Sequence, residues 1–370
     1  MAQKEKVKAI NKNIRFNYFE SMLKVDDAIL IKIKRKKSGI QKIKEKLTNK
    51  LTEAQAELLE HEDEILETEK AFSQYQATVW DMKPMFEYIS SGKMASTAID
   101  IGGVIVEIEQ ESFTPIEGDI ISFQLTKMRD NMLPAKKRIG KAKEEIKLSD
   151  DEYIGDFVSI LYDCGYSVLM IQSNKYGLST NQIAAYLTIL RRKYIEEAEM
   201  VEEILELASE LRVLIDPQKA KNVLNAKYFK RMRLKGSDFM LDAFLNKEDE
   251  GLMGKTRRLI GKRTGINFDV VISLNPSLKT ESLDITDVEK LVNDFNSIDD
   301  KEKRPTVEIT KKDNDDSNVE LINLITPRLT DVIDFKIMPR TTVGHEFLYD
   351  RMKGNYKNTR AVIARVISQI

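Results

Sequence analysis

Two pairs of residues have types and spacings that could perform chemistry on nucleic acid. Arg340 and His345 form an R-x4-H pattern, in which the histidine would act as acid or base beside a scissile phosphate without a metal. Asp334 and Lys336 are two positions apart, so a strand would direct both to one face, where the carboxylate would hold Mg²⁺ and the lysine would position water. Each pair predicts a nuclease effector, by a different mechanism.

Both pairs lack part of the usual pattern. Thr341 follows Arg340 where a polar amide or an acid is usual, and no further nuclease motif precedes Asp334. The single cysteine, Cys164, excludes a disulfide within the chain and a zinc site built on cysteines. The sequence therefore implies no metal site and no cofactor, leaves a need for Mg²⁺ open, and does not decide whether the protein is an enzyme.

Cationic side chains are concentrated in residues 136–143, 227–235 and 255–263, each of which contains five Lys or Arg and no acid. Clusters of this kind bind phosphate backbones, and an aromatic ring within one can stack on bases. The residues predicted to contact nucleic acid are Lys136, Lys137, Arg138, Lys227, Tyr228, Lys230, Arg231, Arg233, Lys255, Arg257, Arg258, Lys262 and Arg263. The pattern does not distinguish DNA from RNA.

The same cations have an alternative explanation. The net charge of the chain is −1, so any attraction of a polyanion must come from a local patch. Residues 225–263 hold eleven Lys or Arg against five Asp or Glu, whereas residues 281–302 hold eight acids against two lysines. A basic helix packed beside that acidic element would only neutralise it. The nucleic-acid hypothesis therefore requires the cations of 227–263 to share one exposed face.

A long charged helical arm is the most specific structural signal. Between Leu47 and Phe72, mostly apolar residues recur with alternating spacings of four and three, and no Pro or Gly interrupts the chain between Gly39 and Pro84. The pattern predicts one coiled-coil-like helix of about ten turns over residues 38–76. Its apolar stripe must pack on another helix. We expect that helix to come from residues 180–214, from a second copy in a homo-oligomer, or from a partner protein.

The remaining pattern predicts an α+β fold, with a β-rich body from which the arm protrudes and a smaller C-terminal α/β unit. The expected domains are 1–216, which contains the arm, and 217–370, whose segment 218–265 is basic and helical. The predicted strands are 14–18, 28–34, a hairpin over 98–109, 119–126, 167–173, 266–274, 305–311, 319–325 and 331–338. Predicted helices are 80–90, 179–214, 284–297, 344–353 and 356–369, and 127–147 is a loop.

Three segments resemble an uncharacterised family of bacterial and prophage proteins: FQLTKMRDNMLPAK (123–136), LSDDEYIGDFVSILYD (148–163) and VLMIQSNKYGLSTNQIAAYL (168–187). The Arg129-Asp130 and Pro134 pattern, the run 151–155 and the Gln172-x-Asn174 strand exit carry the resemblance. It covers residues 123–187 well and 319–370 loosely, and the helical arm is not part of it. The resemblance implies a setting in mobile elements and phage conflict, but no activity and no catalytic residue.

Together these observations predict a nucleic-acid-binding, self-associating component of a bacterial or prophage anti-phage defence system. The alternatives are a nuclease effector that uses Arg340 and His345 or Asp334 and Lys336, and a non-enzymatic scaffold that only binds other proteins. No window approaches eighteen uninterrupted apolar residues, and the polar, basic first residues lack the apolar stretch of a signal peptide. We therefore expect a cytoplasmic protein that does not engage membranes.

Overall fold

The computed structural model describes residues 8–46, 61–114, 118–200, 204–244, 251–261, 263–275, 280–315 and 317–368. The chain forms two compact units, the first from Met1–Val213 with Ile333–Ile367 and the second from Leu214–Val332 with Ser368–Ile370. The division expected at residue 216 is close to the first boundary. Residues Ile333–Ile367, however, return to the first unit and do not join the second.

The described residues form fifteen strands, which are β1 (Ile10–Val25), β2 (Thr78–Val79), β3 (Ile99–Asp100), β4 (Ile105–Ile108), β5 (Ile120–Arg129), β6 (Lys136–Lys137), β7 (Lys143–Glu144), β8 (Ile154–Asp163), β9 (Val168–Gln172), β10 (Leu207–Val213), β11 (Tyr228–Ser237), β12 (Asn267–Ser273), β13 (Thr306–Lys312), β14 (Glu320–Asn323) and β15 (Thr330–Ile337). The α-helices within the same residues are α1 (Asp27–Lys46), α2 (Glu62–Gln74), α3 (Lys83–Ser90), α4 (Thr180–Glu197), α5 (Pro217–Lys221), α6 (Leu252–Ile260), α7 (Ile285–Asn296) and α8 (His345–Ile367). The mixed α+β class that the sequence predicts is therefore confirmed.

A nine-stranded sheet lies at the centre of the first unit. Its main path has the order β10-β1-β9-β8-β5-β4-β3, while β15 and β2 pair with further parts of the long strand β1. One face of this sheet packs against α3 and α4. Alternate residues such as Phe123, Ile160 and Leu169 are fully buried there, together with Ile183 and Tyr186 of α4. This pattern confirms the predicted strands 119–126 and 167–173, and the hairpin predicted over 98–109 is formed by β3 and β4.

The opposite face of the sheet is covered by α8. Tyr356 of this helix lies against Tyr18 of β1, with ring centroids 6.2 Å apart, and donates a hydrogen bond of 2.8 Å to the fully buried Asp163. Arg360, one turn further along, has its Nε 3.0 Å from the same carboxylate. Burial and the neighbouring Asp163 raise the pKa of Tyr356, so its hydroxyl stays protonated and keeps donating.

The prediction of one continuous helix over 38–76 is wrong, because residues up to Lys46 belong to α1 and residues from Glu62 belong to the separate helix α2. Residues 28–34, predicted as a strand, belong to α1, and α1 packs antiparallel on α2 through Ile33, Ile40 and Ile65. Lys37 Nζ lies 2.7 Å from a carboxylate oxygen of Glu69, whereas one continuous helix would separate these residues by about 48 Å. The seam positions between 47 and 60 lie outside the described residues, and the coiled-coil arm is not shown.

Two further predictions in the first unit are corrected. The helix expected over 179–214 does begin at Ser179, where a capping box with Gln182 fixes its start, but it ends at Glu197. Residues Leu207–Val213 form β10, because their buried positions alternate and pair with β1. The two helices expected over 344–353 and 356–369 are one continuous helix, α8.

The second unit has two layers. Its four-stranded sheet has the order β12-β11-β13-β14, and the buried sides of these strands face α6 and α7 in a separate core. The basic segment 218–265, predicted to be helical, is helical in α5 and α6, but Tyr228–Ser237 is the strand β11 between β12 and β13. Phe229, Met232 and Leu234 are buried on the helix side, and a bulge between Phe229 and Arg231 shifts the alternation by one residue.

Candidate functional site

The connection between β5 and β8 carries a basic ribbon, residues 136–144, which consists of β6, β7 and the turn between them. Lys136 pairs with Glu144 and Lys137 with Lys143 across the two strands, and Gly140 supplies the positive φ of +74° that the turn requires. Every residue of the basic ribbon is exposed. The loop predicted over 127–147 therefore contains an ordered two-stranded element.

The positive charges of the basic ribbon are only partly neutralised within it, since Glu144 is its single acid. Lys137 lies directly opposite Lys143, an arrangement that destabilises a pair of strands. The only ion pair of the ribbon within the described residues joins Arg138 to Glu144 at 3.8 Å, which is long and exposed and contributes little. A two-stranded hairpin without a core is marginally stable by itself. A bound polyanion would remove the repulsion between the facing lysines.

The tip of the basic ribbon is apolar. Ile139 is fully exposed, and Met132, in the loop that precedes the ribbon, is 92% exposed. An isolated exposed apolar residue needs no explanation, but an apolar side chain at the end of a cationic ribbon has the chemistry of proteins that insert a wedge between base pairs. Sequence reasoning missed Ile139, and the pattern KKRIGKAK, with isoleucine before the turn glycine, was the available signal.

The strand β11 directs a second set of cations to the open face of its sheet. Arg231, Arg233 and Lys235 alternate with the buried Met232 and Leu234. Arg233 is held by two acids, with its Nη2 2.6 Å from Asp269 and its Nη1 3.4 Å from Glu308. The hydrogen bonds to Asp269 raise the pKa of Arg233 and lower that of Asp269. This set is therefore partly neutralised by its own sheet.

The two cations at the start of this stretch are also engaged. Lys227 Nζ lies 3.0 Å from Asp315, and the Tyr228 hydroxyl donates to the same carboxylate at 2.5 Å. These two hydrogen bonds, the one from Tyr228 first, lower the pKa of Asp315. Lys230 donates to the backbone oxygen of Glu281. Tyr228 is 8% exposed, which leaves little of its ring for stacking on a base.

The cations of 255–263 occupy another part of the second unit. Lys255 and Arg258 are exposed on α6, which covers the buried side of the sheet. Arg257 is buried and donates to Asp242 and to the Gly261 oxygen. Arg263 is exposed, and Lys262 lies outside the described residues. The structure thus does not bring the cations of 227–263 together on one face, since those of β11 and those of α6 lie on opposite sides of the two-layer unit.

His345 and Arg340 are in different environments. His345 Nε2 lies 3.2 Å from the Ser122 hydroxyl, its ring stacks on Tyr349, and its Nδ1 is buried without a hydrogen-bond partner. Burial lowers the pKa of His345 below 6.5, so the ring is neutral at pH 7. Arg340 is exposed with a positive φ of +67°, a strained conformation for a residue with a side chain.

Asp334 and Lys336 do lie on one face of β15, both exposed on the side opposite the buried Phe335. Within the described part of the chain, no group of three His, Cys, Asp or Glu side chains is arranged to hold a metal ion. Burial raises the pKa of the Cys164 thiol to about 12, so a nucleophilic thiolate is scarce at neutral pH. The nuclease alternative stays a prediction.

Comparison with known proteins places these observations in a family. The model described as "Family of unknown function (DUF6731)" matches residues 65–362, which includes the basic ribbon, β11, α6 and His345. This match confirms the resemblance to an uncharacterised family and extends it well beyond 123–187. No curated protein matches the chain. In the described residues no helix has both the length and the apolar character needed to cross a bilayer.

Proposed function

Because this chain belongs to DUF6731, a family of unknown function, we propose its activity from its own geometry: it binds nucleic acid, and specifically duplex DNA, through the basic ribbon. The observation that carries the proposal is the register of the ribbon, in which Lys137 faces Lys143. Such a pairing is unfavourable in the free protein and becomes favourable when phosphates lie beside it.

The shape of the basic ribbon favours duplex DNA over duplex RNA. The major groove of B-form DNA is about 12 Å wide and admits a two-stranded ribbon, whereas the major groove of A-form RNA is too narrow and deep for side chains to read. The ribbon projects five cations, and its exposed Ile139 occupies the turn. Entry of the tip into a groove would place the lysines and Arg138 beside the phosphates of both strands.

The cations of β11 and α6 have a smaller part in this proposal. Arg233 and Lys227 are already paired with acids of their own unit, so their contribution to phosphate binding is reduced. Lys255, Arg258 and Arg263 are exposed and could only add to the non-specific attraction. The self-association through residues 38–76 and the role in an anti-phage defence system are retained as predictions, the latter from the family resemblance.

Salt dependence of binding tests the proposal. We expect the full chain to bind a mixed-sequence DNA duplex with an affinity that falls as salt rises from about 50 to 200 mM, because counterions are released from each contacted phosphate. Substitution of Lys137 and Lys143 by Gln should reduce the slope of log K against log salt by about 1.8, that is, by about 0.9 for each lost contact. Fluorescence anisotropy of a labelled duplex measures the affinity at each salt concentration, and hence the slope for the unmodified protein and for the variant.

The matched control neutralises two cations elsewhere. Lys32 and Lys36 are exposed on α1, and their replacement by Gln makes the same change in net charge. The plot of log K against log salt should have the same slope for this variant as for the unmodified protein. Equal loss of affinity in both double variants, or a salt-independent affinity, would contradict binding through the basic ribbon. A single-stranded or duplex RNA that binds more tightly than the DNA would contradict the choice of duplex DNA.

A further inference from the structure

The strand β10 is an edge of the nine-stranded sheet. It pairs on one side with β1 over seven residues without a bulge, and no other described strand pairs with it. Proteins usually protect such edges with a proline, a bulge or a very short strand. The sequence of β10, LASELRV, contains no proline. Its outer edge is therefore free to pair with another extended chain, unless something else covers it.

The register shows which backbone groups point outward. In an antiparallel pair, residues alternate between two states. A residue either exchanges two hydrogen bonds with its partner or directs its backbone N–H and C=O away from the partner strand. The Ser209 N–H donates to the Thr188 hydroxyl of α4 at 2.9 Å, so Ser209 belongs to the outward-pointing set, and Leu211, two positions on, belongs to it as well. Opposite Leu211, the Ser21 N–H donates to Ser167 on the far side of β1, as this alternation requires.

The N–H and C=O of Leu211 have no hydrogen bond to any described residue, whereas the Ser209 N–H has its partner in Thr188. The Thr188 hydroxyl therefore takes the place of one acceptor that a neighbouring strand would supply. Further along the edge, α4 leaves a groove of about 510 Å³ between itself and β10, within the usual size range of binding pockets. Four small residues line it, Ala184 and Ala185 on α4 and Ala208 and Ser209 on β10, together with the larger Ile189 and Leu211.

A buried hydroxyl in this groove lacks a partner. Ser209 is one of the residues that line the groove and is only 6% exposed, and its buried Oγ has no hydrogen bond within the described structure. Leaving a buried polar atom unsatisfied costs about 1–3 kcal/mol. A ligand that donates to or accepts from this hydroxyl would recover that free energy. The groove thus combines an unpaired strand edge with an unsatisfied polar side chain.

The charged side chains around the groove form ion pairs with one another. Lys24 lies 2.9 Å from Asp27 and 3.8 Å from Glu210, and Arg192 lies 2.8 Å from Asp26. Burial would raise the pKa of Asp26, but the hydrogen bonds from Arg192 and the Ala28 amide lower it overall, so the carboxylate is ionised. With three acids and two bases, this site repels a phosphate chain. A neutral polymer of amides, with donors and acceptors in alternation, suits it better.

We propose that an extended peptide segment of a partner protein binds in this groove and adds a strand to β10. Its backbone exchanges hydrogen bonds with Leu211, and its side chains that face α4 are small or polar, because they lie against Ala184, Ala185 and the Ser209 hydroxyl. This mode of recognition draws affinity from backbone hydrogen bonds and specificity from alternate side chains. It is independent of the nucleic-acid proposal, which concerns a different part of the first unit.

The probe for this proposal is a phage-displayed library of random heptapeptides, selected against the full chain. An enriched peptide should bind with a dissociation constant in the micromolar range and should slow amide hydrogen exchange at Leu211. Asn181, an exposed residue of α4 that lines the groove, is replaced by Trp to fill it, and binding should weaken at least tenfold. Glu196→Trp makes the same replacement at an exposed position of α4 outside the groove and should bind as the unmodified protein does.

Several results would overturn the proposal. These are the failure of any peptide to enrich, equal binding to Asn181→Trp and Glu196→Trp, or protection of amides elsewhere while that of Leu211 is unchanged. If Asn181→Trp does not fold, as shown by its melting curve, the amide protection in the unmodified protein decides alone. Protection of the Leu211 amide by a DNA duplex at the concentrations that saturate the basic ribbon would also count against a peptide site.

Discussion

At the scale of single residues, the sequence showed which side chains carry charge more readily than it showed which residues they contact. The sequence identified Arg233 and Lys227 as cations, but their acids, Asp269 and Asp315, are 36 and 88 positions away and become neighbours only through strand pairing. The alternative explanation, in which acids of residues 281–302 neutralise these cations, was therefore right that acids pair with them. The acids, however, lie outside residues 281–302. Similarly, His345 was recognised as a titratable group, while its contact with Ser122, 223 positions away, depends on α8 crossing the sheet.

The half-buried His345 predicts a loss of stability in mild acid. Its pKa is lowered by burial, so the unfolded chain binds a proton more readily than the folded protein does. The stability that depends on the neutral His345 ring should be fully present above the unfolded pKa of about 6.5. It should be lost progressively as the pH falls below that value. His345→Gln should flatten the melting temperature between pH 7.5 and 5, as followed by circular dichroism.

The chain offers a matched control for this measurement, because its only other histidine is His61. His61 is exposed where α2 begins, and His61→Gln should leave the pH profile as it is in the unmodified protein. A profile that stays steep in His345→Gln would show that carboxylates, and not this imidazole, govern stability in that range.

At the scale of elements, alternation of apolar and polar residues predicted the buried strands correctly. Short segments that combine helix-forming and strand-forming residues were assigned wrongly. The strands β5 and β9 could be predicted because both are almost wholly buried. The strand β10 was hidden because LASELRV contains good helix formers, and its pairing with β1 overrides that preference. The strand-like AILIKIK belongs to α1, where Ile33 and Ile40 are one heptad apart and pack on α2.

The start of α4 gives a quantitative test at this scale. Ser179 accepts a hydrogen bond from the Gln182 N–H, and the Gln182 side chain accepts one from the Ser179 N–H. Ser179→Ala should lower the free energy of unfolding by about 1 kcal/mol, because the first turn loses its cap. Denaturant titration measures this change. Ser173→Ala, at an exposed position before the helix, should alter stability by less than about 0.5 kcal/mol, and an equal effect at both sites would refute the capping role.

At the scale of the whole molecule, the two units have separate cores. Leu234 and Val307 are fully buried in the second unit, and Ile160 is fully buried in the first. The sequence indicated a division near Pro217 from a change in composition, but it could not show that β15 and α8 return to the first unit. That return depends on the pairing of β15 with β1, a contact between the two ends of the chain that no local pattern encodes.

Separate cores predict separate unfolding transitions. Leu234→Ala should lower the stability of the second unit by about 2–5 kcal/mol, because it leaves a cavity in that core, and should leave the first unit unchanged. Differential scanning calorimetry should then show one transition moved to lower temperature. Ile160→Ala should move the other transition. A single transition that shifts as a whole in both variants would show that the units unfold together.

The path of the chain also bears on how the protein is made. The strand β1 is synthesised before residues Leu214–Val332 of the second unit, whereas α8, which covers Tyr18 and Asp163, is synthesised after them. Until α8 has been synthesised, Tyr18 and Asp163 are uncovered, whereas residues Leu214–Val332 of the second unit have already been made. Residues Leu214–Val332 can therefore fold before the first unit, which is completed only once α8 has been translated.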